Sequence, residues 1–326
     1  CLNGHSITAK GNFAVITVPG DSSLTLTDCN GSGKGNGIIT HADSYRGRGV
    51  DADGAFTMYG GTITGNTVMG DGAGVSSKSS FVMAGGTISG NTTTDASWGS
   101  SRSGYGGGVY ISDGTFTMTG GTITGNTSAL GVGGVYAAFG KAITITLSGS
   151  PRITGNTNRD LFLGYNQTIT VGGALNAGAR IVVSTADIAD GDRAIIARGT
   201  DSYSIQDSDL NAFVSAGGYP KQRRGNSIIF YNGSLHLHPV CGTDCAHTGS
   251  DAHDDVLWKP ISSLDEITGA GSYYLTQEVE LPYAWSCEYA VNLCLNGYGI
   301  TYAGGDDFFG NLIVENDQTF ALTDCN

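Results

Sequence analysis

"FTMYGGTITGNT" occupies residues 56–67, and near copies follow: "FVMAGGTISGNT" from Phe81, "FTMTGGTITGNT" from Phe116, and the worn "LSGSPRITGNT" at 147–157. The first two intervals are 25 and 35 residues. A unit of that size is too small to bury its own apolar face, so copies must stack. Within each copy, period-two alternation marks strands, with Phe56, Met58 and Ile63 inward and Thr57, Thr62 and Thr64 outward. Upstream of each lies a Gly-rich step into valine: "GRGV", "GAGV", "GGGVY" and "GGVY". Gly-Gly and Gly-Asn steps between the pieces are corners.

Three short strands and three corners in a turn of about 25 residues predict an all-β, right-handed parallel β-helix. Its rungs would lie about 4.8 Å apart. Like residues then stack in columns: Val50, Val75, Val109, Val135; Phe56, Phe81, Phe116; Met58, Met83, Met118; Ile63, Ile88, Ile123, Ile153. The 35-residue interval reads as one rung with a longer corner, "TTDASWGSSRSGY" at 93–105. A propeller blade would need about 40–45 residues, and a leucine-rich horseshoe its leucines.

Composition agrees. The 326 residues include 53 glycines, which count against helices, and 39% apolar residues, enough for a core. No apolar run reaches the roughly 18–20 residues of a membrane span. The net charge of −13 is uneven: residues 1–180 carry ten Lys/Arg and nine Asp, leaving the rest strongly acidic. That balance argues against nucleic acid, whose phosphates reward basic surfaces. No glutamate precedes Glu266, so carboxylate chemistry in the repeats would rest on aspartate.

The stretch "GGGVYISDGTFTMTGGTITGNT" (106–127) resembles the repeats of right-handed β-helix surface and adhesin-like proteins of Gram-positive anaerobes, which share their fold with pectate-lyase-like proteins. The later "VCGTDCAH…LWKPISSLDEI…GSYYLTQEVEL…LCLNG" resembles the segment that opens a fresh β-helix in such proteins. The resemblance implies a bacterial, extracellular, cell-surface setting and a structural or adhesive role. It says little about activity, which must be argued from a site.

A longer repeat frames the chain. "CLNGHSIT…LTLTDCN" (1–30) returns as "CLNGYGIT…FALTDCN" (294–326), offset by 293 residues. The expected organisation is a β-helix over 1–180, a closing β region over 181–238, a Cys/His linker over 239–256, and the start of the next unit over 257–326. Partners would be copies of the chain, end to end in a covalent tandem or a filament, and surface glycans.

Seven cysteines leave one over. Stacked rungs bring Cys1 near Cys29 and Cys294 near Cys325, which predicts two disulfides in an oxidising setting; the alternative is buried thiols. Cys241 and Cys245 read as a third, tight disulfide. With His247 and His253 they read alternatively as a zinc site, though the spacing is not that of a finger. Cys287 is left free or intermolecular.

A polysaccharide lyase or hydrolase on this fold is the competing functional class, and it needs converging carboxylates. The best candidates are Asp51 and Asp53. However, Asp53, Lys78 and Asp113 share one column, which reads as an alternating-charge ladder at a corner. Asn66, Asn91, Asn126 and Asn156 read as a structural amide ladder. Tyr110 and Tyr136 follow core valines and should face outward as a candidate glycan platform. Outward Thr-x-Thr rows raise ice binding as a third reading, against which Ser89 and Arg152 interrupt the rows. No cofactor is expected.

Overall fold

The computed structural model describes residues 1–29, 36–98, 101–164, 167–189, 193–232, 258–295, 297–302, 312–315 and 318–323. The chain is nearly all β and divides into two compact units, Cys1–Asp187 with Ile195–Phe230, which forms a right-handed parallel β-helix, and Ile188–Ala194 with Tyr231–Asn326.

The first unit stacks three strand faces. On the phenylalanine face, Ser23–Leu26, Ala55–Met58, Ser80–Met83, Thr115–Met118, Thr144–Gly149 and Ile169–Leu175 pair in parallel. Leu24, Phe56, Phe81, Phe116, Ile145 and Ile169 stand in register as one inward column, and the register shifts only in the last pair, between Leu147 and Gly149. The rings of Phe56, Phe81 and Phe116 stack at 5.1 and 5.2 Å. On the isoleucine face the inward column is Ile7, Ile39, Ile63, Ile88, Ile123, Ile153 and Ile181. On the valine face it is Ile16, Val50, Val75, Val109, Val135, Leu161 and Val183. From Ile39, Val50 and Phe56 upward these columns are almost wholly buried. Burying each such side chain contributes about 1.5–3 kcal/mol, which explains why a two-residue alternation fixes the register.

Two glycine columns show why the motif cannot drift. Gly65, Gly90, Gly125 and Gly155 turn each corner at φ between 63° and 77°. The glycine before each valine is needed for a different reason, close approach. A Cβ on Gly74 would lie 2.4 Å from Gly108 O and 2.7 Å from Ile88 Cγ2; Gly49 is equally crowded, and a Cβ on Gly108 would lie 2.9 Å from both Asn126 Nδ2 and Ile123 Cγ2.

The structure adds one piece to the three-strand rung. After the Asn corner, Thr67–Met69, Thr92–Thr94 and Thr127–Ser128 pair as a short fourth parallel sheet. The long corner of the 35-residue interval folds as an antiparallel hairpin, Ala96–Trp98 against Ser101–Ser103. At the upper end the valine and isoleucine faces merge, because Arg180–Ser184 pairs with Arg152–Ile153 at one end and Leu161–Phe162 at the other. The antiparallel pair Lys221–Arg224 and Ser227–Tyr231 ends the phenylalanine face.

In the second unit, Trp258–Ile261, Gly271–Leu275, Val291–Cys294 and Phe320–Thr323 make a parallel sheet. Val279–Leu281 pairs with Ile300–Tyr302, and Trp285–Cys287 with Leu312–Val314. Leu264, Tyr273, Leu275, Trp285 and Leu293 fill its core. Among the described residues no helix is long and apolar enough to cross a membrane.

Candidate functional site

The Asn column forms a continuous ladder. Asn66 Nδ2 donates to Asn91 Oδ1 at 2.9 Å, Asn91 Nδ2 to Asn126 Oδ1 at 2.9 Å, and Asn126 Nδ2 to Asn156 Oδ1 at 2.8 Å. The amides of Asn66, Asn91 and Asn126 also donate to carbonyls of their own and the preceding rung, as Asn91 does to Ser89 and Ile63. Asn66, Asn91 and Asn126 are fully buried, so the column belongs to the fold and presents nothing to a ligand.

Two end groups went unread in the sequence. Asp160 Oδ1 accepts both the Nδ2 and the backbone N of Asn156, each at 2.7 Å. At the foot, buried His41 places Nδ1 2.8 Å from Asn66 Oδ1 and Nε2 2.8 Å from Phe13 O. A neutral ring donates to one of these acceptors and an imidazolium to both.

The corner loops before the valine strands gather charged and aromatic side chains beside the outward side of those strands. Arg48 Nη1 lies 3.4 Å from Asp51 Oδ2, and its Nε donates to Asp71 O at 3.0 Å. Asp71 Oδ1 accepts the backbone N–H groups of Gly104 and Tyr105 at 2.6 and 2.8 Å, which pins the long corner down. Tyr105 is thereby laid on Tyr136, ring centroids 4.4 Å apart.

This corrects the reading of Tyr110 and Tyr136 as an open sugar platform. Tyr136 does follow its core valine outward, but it is only 6% exposed. Tyr105, Tyr110 and Phe162 stack against it, and Phe139 meets it edge-on at 5.6 Å. Burial, and then the neighbouring Tyr105, Tyr110 and Asp71, push the Tyr136 phenol far above its ordinary range. Burial and Asp71 raise Tyr110 as well, partly offset by Arg48. The cluster pins the long corner to the valine face. The signal available in sequence was Tyr105, eleven residues before Phe116 and inside the inserted corner.

The carboxylates proposed for chemistry are engaged separately. Asp51 faces Arg48, Asp53 Oδ1 lies 2.7 Å from Lys78 Nζ, and Asp113 Oδ2 lies 3.9 Å from Lys141 Nζ. Of the expected column Asp53 and Lys78 are paired, while Asp113 pairs with Lys141 of the following rung. Such exposed pairs contribute about 0–1 kcal/mol each. No group of three or more His, Cys, Asp or Glu that could hold a metal ion occurs among the described residues.

The outward side of the isoleucine face differs in kind. Thr62, Thr87 and Thr122 stand in register in one column, and Thr64, Ser89 and Thr124 in the next. The first column continues directly into Arg152 and then Arg180, both exposed.

Cys1 and Cys29 form the predicted disulfide, Cα atoms 6.0 Å apart. Beside it, Asp28 clips three segments: Oδ1 accepts Gly4 N–H and Oδ2 accepts Gly37 N–H, each at 2.7 Å. These bonds, Gly37 first, hold its carboxyl below the usual range. Cys294 is buried, and its proposed partner Cys325 lies outside the described residues, as do Cys241, Cys245, His247 and His253. Cys287 is fully buried and donates its S–H to Tyr289 O at 3.1 Å, so an intermolecular bond through it is ruled out in the folded unit.

Comparison with family models, with curated proteins and with solved structures finds no match to this chain.

Proposed function

We propose that the chain is a non-enzymatic extracellular element, structural and adhesive, built as a unit of a tandem surface fibre. The observation that carries this reading is the return of one turn after 293 residues. His5 N–H donates to Leu2 O at 2.9 Å, and Tyr298 N–H to Leu295 O at 2.9 Å. Gly4 and Gly297 share a φ of 79° and 77°. Each turn leads into parallel strands, Ser6–Ala9 in one unit and Ile300–Tyr302 in the other.

The division of labour among side chains supports a rod. Hydrogen bonds run along the axis through backbone and amide ladder, while Asp28, Asp53, Asp71 and Asp113 tie neighbouring segments together. Serial linkage also answers the aggregation hazard of an open strand edge.

The test is the mass of the native polypeptide under denaturing, reducing conditions. A mass several times 33.4 kDa, in steps of one repeat, is the expected result. A mass near 33.4 kDa overturns the tandem reading.

A further inference from the structure

We infer that the outward isoleucine face binds a linear acidic polysaccharide, with Arg152 and Arg180 as its anion contacts. The inference names a ligand class for the adhesive half of the proposed function and rests on that half alone.

Arg152 and Arg180 are direct cross-strand partners on adjacent parallel strands. Such neighbours lie about 4.8 Å apart, and like charges placed opposite each other are destabilising. No carboxylate lies within ion-pair distance of either among the described residues, whose pairs are Arg48–Asp51, Lys78–Asp53, Lys141–Asp113 and Arg223–Asp207. The contrast with the corner column is informative. There the charges alternate, Asp53 with Lys78 and Asp113 with Lys141. Here they repeat, at a position where lower rungs carry neutral threonine.

A third cation reaches the end of this face from the strand that closes the phenylalanine face. Lys221 Nζ donates to the carbonyls of Leu210 and Phe213, and Phe213 is paired with Ile181, the residue after Arg180. Burial, and then Arg180, lower the Lys221 ammonium below its ordinary range, so an anion there would relieve both groups. Arg152 is also positioned in advance, because its Nη1 donates to Gly178 O at 2.9 Å.

The ligand chemistry follows from what the face offers. A guanidinium presents a planar fork that matches carboxylate or sulfate oxygens. Below it, Thr122, Thr87 and Thr62 extend a row of hydroxyls along the axis at the rung spacing, suited to sugar hydroxyls. No aromatic side chain stands in this column, so the stacking that holds neutral sugars is missing.

The test is equilibrium binding of the intact chain to hyaluronan as the carboxylate probe and to dextran sulfate as the sulfate probe, with unmodified dextran as the neutral control. We expect binding to one or both polyanions, weakened by added salt, with none to dextran. The Arg152→Ala/Arg180→Ala double variant should lose at least tenfold in affinity, and Arg180→Lys should retain part of it. The double variant should melt at or above the parent temperature without ligand, because a repulsion is removed, and Arg180→Lys, which keeps the charge, should melt close to the parent; this separates a lost contact from lost folding. Equal binding to dextran, no binding to either polyanion, or unchanged affinity in the double variant would overturn the inference. A polypeptide of single-repeat mass would sink the tandem reading and leave this one standing.

Discussion

Asn91 and Asn126 are joined side chain to side chain at 2.9 Å across 35 residues of chain, and both are fully buried. Asn91 Oδ1 also accepts the backbone N–H of Asn66, and its Nδ2 donates to Ile63 O. Asn91→Ala therefore strands a buried donor and a buried acceptor. Each such group costs about 1–3 kcal/mol, so the variant should lose on the order of 4 kcal/mol in urea denaturation. A loss under about 1 kcal/mol would show that water replaces the amide.

His41→Ala removes the donor at the foot of that ladder. It leaves Asn66 Oδ1 and Phe13 O facing the vacated ring position. The expected cost is about 1–3 kcal/mol. It should appear first as faster amide exchange around residues 13–16, with Phe81 and Phe116 rungs unaffected. Uniform exchange changes throughout the first unit would instead place His41 in the global core.

Gly74→Ala introduces a methyl group 2.4 Å from Gly108 O, 2.7 Å from Ile88 Cγ2 and 3.1 Å from Asn91 Nδ2. Backbone must move, and the loss should be about 1–3 kcal/mol or more. Gly20→Ala is the matched control, with nothing within 4 Å of the new atom. It should be neutral or stabilising by up to about 1 kcal/mol, through the unfolded chain. Thermal melts of the two variants side by side decide the point.

Asp28 makes the first rung sensitive to acid. Its folded carboxyl titrates below the ordinary value because two backbone N–H groups hold the charged form. That contribution is fully present above the unfolded carboxylate range and is lost as pH falls through the lower, folded value. Asp28→Asn should flatten the acid limb of the stability profile. An acid limb identical to the parent's would show that other carboxylates set it.

Thiol counting separates the cysteines. Without reductant, Cys1 and Cys29 should resist alkylation, and Cys287 should react only after unfolding, since it is both thiol and fully buried. Rapid labelling of Cys287 in the native protein would contradict its place in the second core.

Much of this was legible in the sequence, for a physical reason. Phe56, Phe81 and Phe116 repeat because a parallel stack puts like upon like, so spacing alone reports contact. The amide column was legible for the same reason. What escaped were groups that break the column. His41 follows Ile39 by two residues where Asn66 follows Ile63 by three, and Asp160 lies four beyond Asn156. Neither aligns with anything, and each acts only because the ladder has ends. Tyr136 was misjudged because its exposure depends on Tyr105, delivered by a corner whose path no periodicity encodes. The short fourth strands share no apolar position, since Val68 is matched by Thr93 and Ser128, and they are held by pairing with neighbouring rungs.

The amide ladder has one more consequence, for descent. Because the side chain of Asn91 meets only asparagines above and below and backbone carbonyls that each rung supplies, a whole turn of chain can be copied or lost with the hydrogen bonds closing up behind it. His41 and Asp160 would stay as fixed terminators whatever the number between them. Unequal crossing-over within the gene therefore changes the length of the rod in whole steps, and lineages can differ in reach while keeping one unaltered cross-section.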